Sequence, residues 1–446
     1  MIRVLILAYD FPPYVSVGGL RPYHWYKNFR KFDLDPIVVT RQWNNAYGSS
    51  LDFVAPGYSE QVLMEETEFG KVLYSPYHPS LSHRLLLKYG DTRYKLVRKC
   101  LSGFYEILQY LLPIGTKREL YIAAFDYLSK NKVDVIIVTG EPFVLFHYAK
   151  RLSKRFKVPW VADYRDPWSN PWRKKNGLYH KFNQWVEKRT VGSASLISTV
   201  STFVERQIRQ QVPIGNFCIA PNGYDEEVLA ILHSEEQNAE VFQMAFMGTI
   251  YDWHPLEIIL DTLNEWKVSF PQLKFEVHFY GTNCNKEIIH NTTKYFPLLK
   301  EVVKVHPKMS NQSVLKCMSK HNLLLLFNDY AIIGTKIYDY LALKRKIVLC
   351  FSNDPSAHVL KEKYYSLETY GASETLQEDL IRATNSGIIV ENAEHLLQTL
   401  NELYAEHEQA GQIACESSGI EAYSRILQVE QLAEALKKVT QKSCLV

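Results

Sequence analysis

The residues 333–351, IGTKIYDYLALKRKIVLCF, carry the clearest chemistry in the chain. Gly334-Thr335 supply a loop and a helix cap, Lys336 falls in the first helical turn, and Asp339 follows one turn on, ahead of the apolar run from Lys346 to Phe351. A lysine at a helix start opposes the helix dipole, and a bound anion would remove that conflict. Lys336 is therefore a candidate phosphate ligand, and Asp339 a candidate acceptor of hydrogen bonds from ribose hydroxyls. The plain alternative is an ordinary amphipathic helix with Lys336 in solvent.

A second group is ADYRDPW, residues 162–168, which puts Asp163, Arg165, Asp166 and Trp168 at the end of an apolar run. In a doubly wound sheet, ligands bind beyond the carboxyl ends of the strands, where Asp166 and Arg165 would meet them. Arg165 could equally be pairing Asp163 or Asp166 as a structural ion pair. The run VDVIIVTG ends in Gly140-Glu141, which brings the Glu141 carboxylate to the same edge, and His147 beyond it reads as structural. Gly18-Gly19 opens a helix after the first strand, where backbone N–H groups can approach a phosphate or sugar. The G-x-G-x-x-G dinucleotide fingerprint is missing there. Arg21 just beyond either strengthens an anion site or is plain surface. Asp33-Leu34-Asp35 has the D-x-D form of a metal site but precedes a strand, so it reads as a turn; no spacing of His, Cys and carboxylates points to a metal.

The elements that must hold these groups are short Val- and Ile-rich runs alternating with helical patterns, the mark of parallel strands and crossover helices. One set lies at 3–8, 35–40, 133–140, 159–164 and 195–201, another at 242–248, 275–281, 302–306, 322–327 and 346–351. Two α/β domains are predicted, 1–230 and 231–420, joined by a turn at Pro221-Asn222-Gly223 and a polar linker over 234–240. A last helix, 421–446, is expected to pack back on the first domain. Residues 81–112 break the alternation as a basic amphipathic helix carrying Arg84, Lys88, Arg93, Lys95, Arg98 and Lys99, either a solvated face or a surface for anionic lipid.

The 446 residues and 46% apolar content suffice for two buried cores. Residues 1–200 hold 29 Lys and Arg against 17 Asp and Glu, and residues 201–446 hold 22 against 31, so the halves are electrically opposite. A basic half suits phosphates, though no nucleic-acid-binding module accompanies it. The seven scattered cysteines, never paired as C-x-x-C, argue against a disulfide framework and fit a reducing cytoplasm. No run of about 18 apolar residues would span a membrane.

Taken together, these motifs resemble the GT-B-fold retaining glycosyltransferases of family four, particularly bacterial surface-polysaccharide enzymes. The strand and loop reaching Gly18-Gly19, the segment Pro159 to Trp168, the turn Pro221 to Asp225 and the segment Thr335 to Ile347 occur in the family's order. The resemblance implies two Rossmann-like doubly wound domains facing a central cleft, with a nucleotide-sugar donor bound mainly to the second domain and a lipid-linked or oligosaccharide acceptor to the first. It implies donor contacts at Gly18, Gly19, Gly248, His254, Thr335, Lys336 and Asp339, catalytic roles for Asp166, Glu141 and Lys336, and acceptor contacts at Arg165 and Trp168. No cofactor or metal is implied, and the expected place of work is the cytoplasmic face of the plasma membrane, held peripherally by its anionic surface.

Departures from the family pattern stand beside it. Where many members grip the diphosphate with an Arg/Lys pair, this chain has Gly248-Thr249-Ile250 and His254-Pro255, so Lys336, the glycine backbone or His254 must carry more of the charge. The position eight before Asp339, a glutamate in the family, is Ala331, and the usual Gly-Lys-Pro is Lys344-Arg345-Lys346. A non-catalytic glycan-binding or partner module and a sugar-nucleotide epimerase are the competing classes.

Overall fold

The computed structural model describes residues 1–44, 50–112, 114–169, 177–212, 215–227, 235–365 and 367–443. It divides into two compact units: one is the stretch up to Pro221 together with the C-terminal segment from Ile426, the other is Asn222–Arg425.

The first unit is an eight-stranded sheet of β1 (Ile2–Leu7), β2 (Leu34–Arg41), β3 (Leu63–Glu66), β4 (Lys71–Ser75), β5 (Val135–Thr139), β6 (Trp160–Tyr164), β7 (Leu196–Thr199) and β8 (Phe217–Ile219), in the order β3-β4-β2-β1-β5-β6-β7-β8. Only the β3–β4 pairing is antiparallel. The order reverses between β1 and β5, which lays the carboxyl ends of β1, β5 and β6 side by side at the switch point of the sheet. The strands β1 and β5 are buried over most of their length, the composition expected where helices cover both faces. One of those helices is C-terminal: from Arg425–Ser443, the residues Val429, Leu432, Ala433, Leu436 and Val439 recur at helical spacing and join the core formed by Val4, Ile6, Val38 and Ile137.

The second unit is an all-parallel sheet of β9 (Phe242–Met247), β10 (Phe275–Tyr280), β11 (Val303–His306), β12 (Leu323–Phe327), β13 (Lys346–Cys350) and β14 (Gly387–Val390), ordered β11-β10-β9-β12-β13-β14. Its switch point lies between β9 and β12. Each predicted strand is present. The short strands β3, β4, β8 and β14 are additions that periodicity did not reveal, being only three to five residues long and partly exposed.

Two boundaries differ from expectation. The division falls at Pro221 rather than near 230, because Tyr224 is already tied into the second unit: its N–H donates to the Tyr423 carbonyl at 3.1 Å and its carbonyl accepts from the Arg425 N–H at 2.9 Å. The described part of the polar stretch 234–240 is not a free linker either. The Gln237 side-chain oxygen accepts from Asn322 at 3.1 Å and from the Ile413 N–H at 2.8 Å. The basic segment is two helices, Leu81–Tyr89 and Lys95–Leu108, broken where Gly90 and Tyr94 take positive φ.

Candidate active site

In the first unit the loops after β1, β5 and β6 bring Asp10, Glu141, Arg165 and Asp166 to one edge. The Val17–Asn28 helix begins beside them, capped by Ser16, whose hydroxyl accepts from the Gly19 N–H at 3.0 Å and donates to Asp10 Oδ2 at 2.8 Å. Gly18 lies between these groups: a Cβ there would stand 2.5 Å from Arg165 Nη1 and 2.7 Å from Asp10 Oδ2. Arg165 also donates from Nε to the Gly140 carbonyl at 2.6 Å.

All three carboxyls of this cluster are raised above their ordinary values. Desolvation is the main cause for Asp10 and for Asp166, opposed at Asp10 by the Ser16 hydrogen bond and then the Arg165 charge, and at Asp166 by the Arg165 charge. Glu141, the most exposed, is raised by partial desolvation and then by the Asp166 charge. Several carboxyls sharing one edge around a single guanidinium suit hydroxyl binding and proton handling. Asp10 was missed at the sequence level because a lone aspartate in a loop carries no signal; only the sheet order places it.

The ion pair that sequence left open is settled elsewhere. Asp163 is fully buried and bonds to Arg21, with Nη2 to Oδ1 at 2.8 Å and Nε to both oxygens, and accepts from Ser198 at 2.7 Å. Arg21 also donates to the Ala220 carbonyl at 2.6 Å, so it is neither surface nor anion site. That leaves Arg165 to face the cluster. Trp168 is packed rather than presented: it stacks on Phe143 at 5.2 Å and on Tyr110 at 5.8 Å. His147 lies against Tyr110, and burial lowers its pKa to about 4, in keeping with a structural role. Asp35 pairs with Arg30 at 2.7 Å, and Asp33 sits at φ 61° in the turn, as read from sequence.

In the second unit the switch point gathers Gly248, Thr249, His254, Asp329 and Lys336. Gly248 takes φ 88°, which turns the chain sharply off β9 and brings the Thr249 carbonyl within 3.2 Å of Lys336 Nζ. The ammonium lies 4.6 Å from the centre of the Phe246 ring. Lys336 begins the helix Lys336–Leu343, whose cap residue Thr335 makes no side-chain capping bond. Burial lowers the Lys336 pKa from its ordinary value, and the Asp329 charge opposes the shift.

His254 has both ring nitrogens engaged. Nδ1 accepts from the Tyr251 N–H at 3.1 Å, and Nε2 donates to Asp329 Oδ1 at 2.7 Å. Burial lowers its pKa. Burial would raise Asp329, but His254, Lys336 and the Trp253 indole outweigh it and hold the carboxylate below its ordinary value. His254 therefore braces the loop after β9 instead of reaching a ligand, and Asp329, unmarked in sequence, supplies the negative charge beside Lys336. Asp339 is buried, bonded to Asn311 and facing Arg425; burial pushes its pKa up to about 6. Its carboxyl is thus committed to the protein interior.

Residues 52–228 match the domain model of Glycosyltransferase Family 4. No curated protein sequence gives a match. Solved structures match over almost the whole chain at low identity. Sucrose-phosphate synthase from Thermosynechococcus elongatus is 11% identical with a TM-score of 0.57, covering 100% of this chain and 97% of its own. The lipopolysaccharide outer core galactosyltransferase WaaB in its apo form is 10% identical with a TM-score of 0.52 over 98% and 99%. A trehalose-6-phosphate enzyme from E. coli, bound with UDP-2-fluoro glucose, is 10% identical with a TM-score of 0.55 over 98% and 99%. The two parallel-sheet units are those of the GT-B fold. The family model's match, residues 52–228, lies mostly within the first of these units.

Proposed function

We propose that the protein transfers a sugar, with retention at the anomeric carbon, from a nucleotide-sugar donor to a lipid-linked or oligosaccharide acceptor in cell-surface polysaccharide assembly. The observation that carries this is Lys336, an ammonium held beside the Gly248-Thr249 turn at a helix start without a side-chain cap. When the bond between the anomeric carbon and the phosphate oxygen breaks, negative charge grows on the leaving diphosphate. A preorganised cation and free helix N–H groups stabilise it most in the transition state. The acceptor oxygen forms the new bond on the same face, and its proton passes to the departing phosphate. Asp166 and Glu141, with Asp10 and Arg165, orient the acceptor hydroxyl. The charge is assigned to Lys336 and backbone rather than to a metal ion. The solved trehalose-6-phosphate enzyme with UDP-2-fluoro glucose and the galactosyltransferase WaaB support the donor class and, more loosely, the polysaccharide setting. A thermal-shift panel of UDP-, GDP-, ADP- and dTDP-sugars, followed by nucleotide release from the best donor, tests it. Stabilisation by one of these sugars with acceptor-dependent release is expected; interconversion of the donor sugar without an acceptor would mark an epimerase.

The same reading places the protein peripherally on an anionic membrane surface. Support comes from the Lys95–Leu108 helix, none of whose residues is buried. Leu96, Cys100, Phe104 and Ile107 share one outward face, Leu96 being 78% and Phe104 57% exposed, and Lys95 and Lys99 line one border. An apolar stripe edged by cations fits the boundary between acyl chains and anionic headgroups. Arg98 does not contribute, since it is paired with Asp91 at 3.0 Å. Among the described residues no helix is long and apolar enough to cross a membrane. Flotation with phosphatidylglycerol-containing liposomes should fail for Lys95→Glu/Lys99→Glu and for Leu96→Ser/Phe104→Ser. Wild-type protein that stays free of these liposomes at low salt would rule the attachment out.

A further inference from the structure

The helix Leu178–Val191 carries a carboxylate, Glu187, that is 1% exposed and lies outside the charged cluster. Its oxygens accept three hydrogen bonds. The Tyr164 hydroxyl donates to Oε1 at 2.9 Å, the Ser169 N–H donates to Oε2 at 3.1 Å, and the Ser169 hydroxyl donates to the same oxygen. Tyr164 is the last residue of β6, and Ser169 stands five residues further along the chain. Between them lie Arg165, Asp166, Pro167 and Trp168. One buried carboxyl group thus holds both ends of the segment that carries Arg165 and Asp166. From within, the segment is anchored by the Arg165 bond to Gly140 and the Trp168 stack on Phe143.

We infer that Glu187 is a positioning residue: it clamps the two ends of the Arg165–Trp168 segment and so fixes where the Asp166 carboxyl and the Arg165 guanidinium stand at the sheet edge. The inference rests on the role proposed above for Asp166. A carboxylate is suited to the task because its two oxygens accept from donors on opposite sides, one at each end of the segment. An amide could accept at only one end, and an aliphatic side chain at neither. Burying such a group is costly unless every acceptor is used, and here three donors converge on it. Burial, only partly offset by the Ser169 and Tyr164 bonds, raises its pKa to about 7. Retaining so expensive a group beside Val186, Thr190 and Val191 on the buried side of the helix is understandable if it holds a functional segment.

The test is a double-mutant cycle in the full chain, read two ways. Hydrogen–deuterium exchange follows the peptide containing Tyr164–Ser169, and nucleotide release from the sugar nucleotide selected in the thermal-shift panel follows turnover. Glu187→Leu should raise exchange in that peptide and lower kcat on the order of 10- to 100-fold, the cost of a displacement of about 1 Å at a reacting group. The donor KM should stay unchanged, because Glu187 holds the Arg165–Trp168 segment, to which no donor contact is assigned. In an Asp166→Ala background the same substitution should lower kcat by a clearly smaller factor, since one of the two groups it positions is gone. Glu187→Gln, which keeps one acceptor, should recover part of the rate and serves as the alternative if the leucine variant fails to fold. An equal loss of kcat in both backgrounds, or wild-type kcat with unchanged exchange, overturns the inference. Wild-type kcat in Asp166→Ala alone would instead overturn the role of Asp166, and the exchange measurement would still decide whether Glu187 clamps the segment.

Discussion

Gly18 offers the sharpest single perturbation, because a methyl group there meets two charged side chains at once. In Gly18→Ala the new Cβ would stand 2.5 Å from Arg165 Nη1 and 2.7 Å from Asp10 Oδ2. To reach ordinary contact both groups must retreat by about 1 Å, a displacement that costs on the order of 100-fold in rate, or about 2.7 kcal/mol of barrier. Stability should barely change. Alanine in a helix is favoured over glycine by up to about 1 kcal/mol, and the strain falls on the ends of flexible side chains that can move. Gly103→Ala is the internal control, since it too lies within a helix and nothing stands within 4 Å of a Cβ there. The assay is nucleotide release from the preferred sugar nucleotide together with a melting curve for each variant. Turnover lost in Gly18→Ala alone, at an unchanged melting temperature, is the expected outcome. Normal turnover in Gly18→Ala, or equal losses in the two variants, would refute the placing of Arg165 and Asp10 at the reacting centre.

Lys336→Ala should lower kcat by a factor corresponding to about 2 to 4 kcal/mol while the protein stays folded, as removal of one preorganised charge does; near-normal turnover would remove Lys336 from the leaving-group site. Asp339→Ala should cost about 1 to 3 kcal/mol of stability, because the carboxyl is bonded to Asn311 in the interior; a raised donor KM at unchanged stability would restore the ribose contact. Glu187 has its pKa raised by burial from 4.5 to about 7, so its favourable contribution is complete below pH 4.5 and is lost as pH rises through 7. Between pH 4.5 and 8 the urea-unfolding stability of Glu187→Gln should therefore gain on wild type by up to about 3 kcal/mol, and a pH-independent difference would contradict the buried titration. Asp166→Asn should lower kcat strongly at an unchanged melting temperature, whereas a purely structural carboxylate would show a melting loss with kcat retained.

The strands β1, β2, β5, β6, β7, β9, β10, β11, β12 and β13 were legible from sequence, because strands covered on both faces must be continuously apolar and their Val and Ile runs stand out from the helical patterns between them. The motif resemblance, from Gly18-Gly19 through Pro159–Trp168 to Thr335–Ile347, carried the fold as well. What sequence could not decide is which charged groups face each other. Arg21 and Asp163 are 142 residues apart and meet in the interior, and that pairing releases Arg165 to the edge. Asp10 joins Glu141 and Asp166 because β1, β5 and β6 are neighbours in the sheet, while Asp329 takes the imidazole of His254 and stands beside Lys336. Periodicity records how each segment is buried, one residue at a time. Ion pairs and hydrogen bonds form between side chains on separate segments, so their partners are determined only when the order of strands in the sheet brings those segments together.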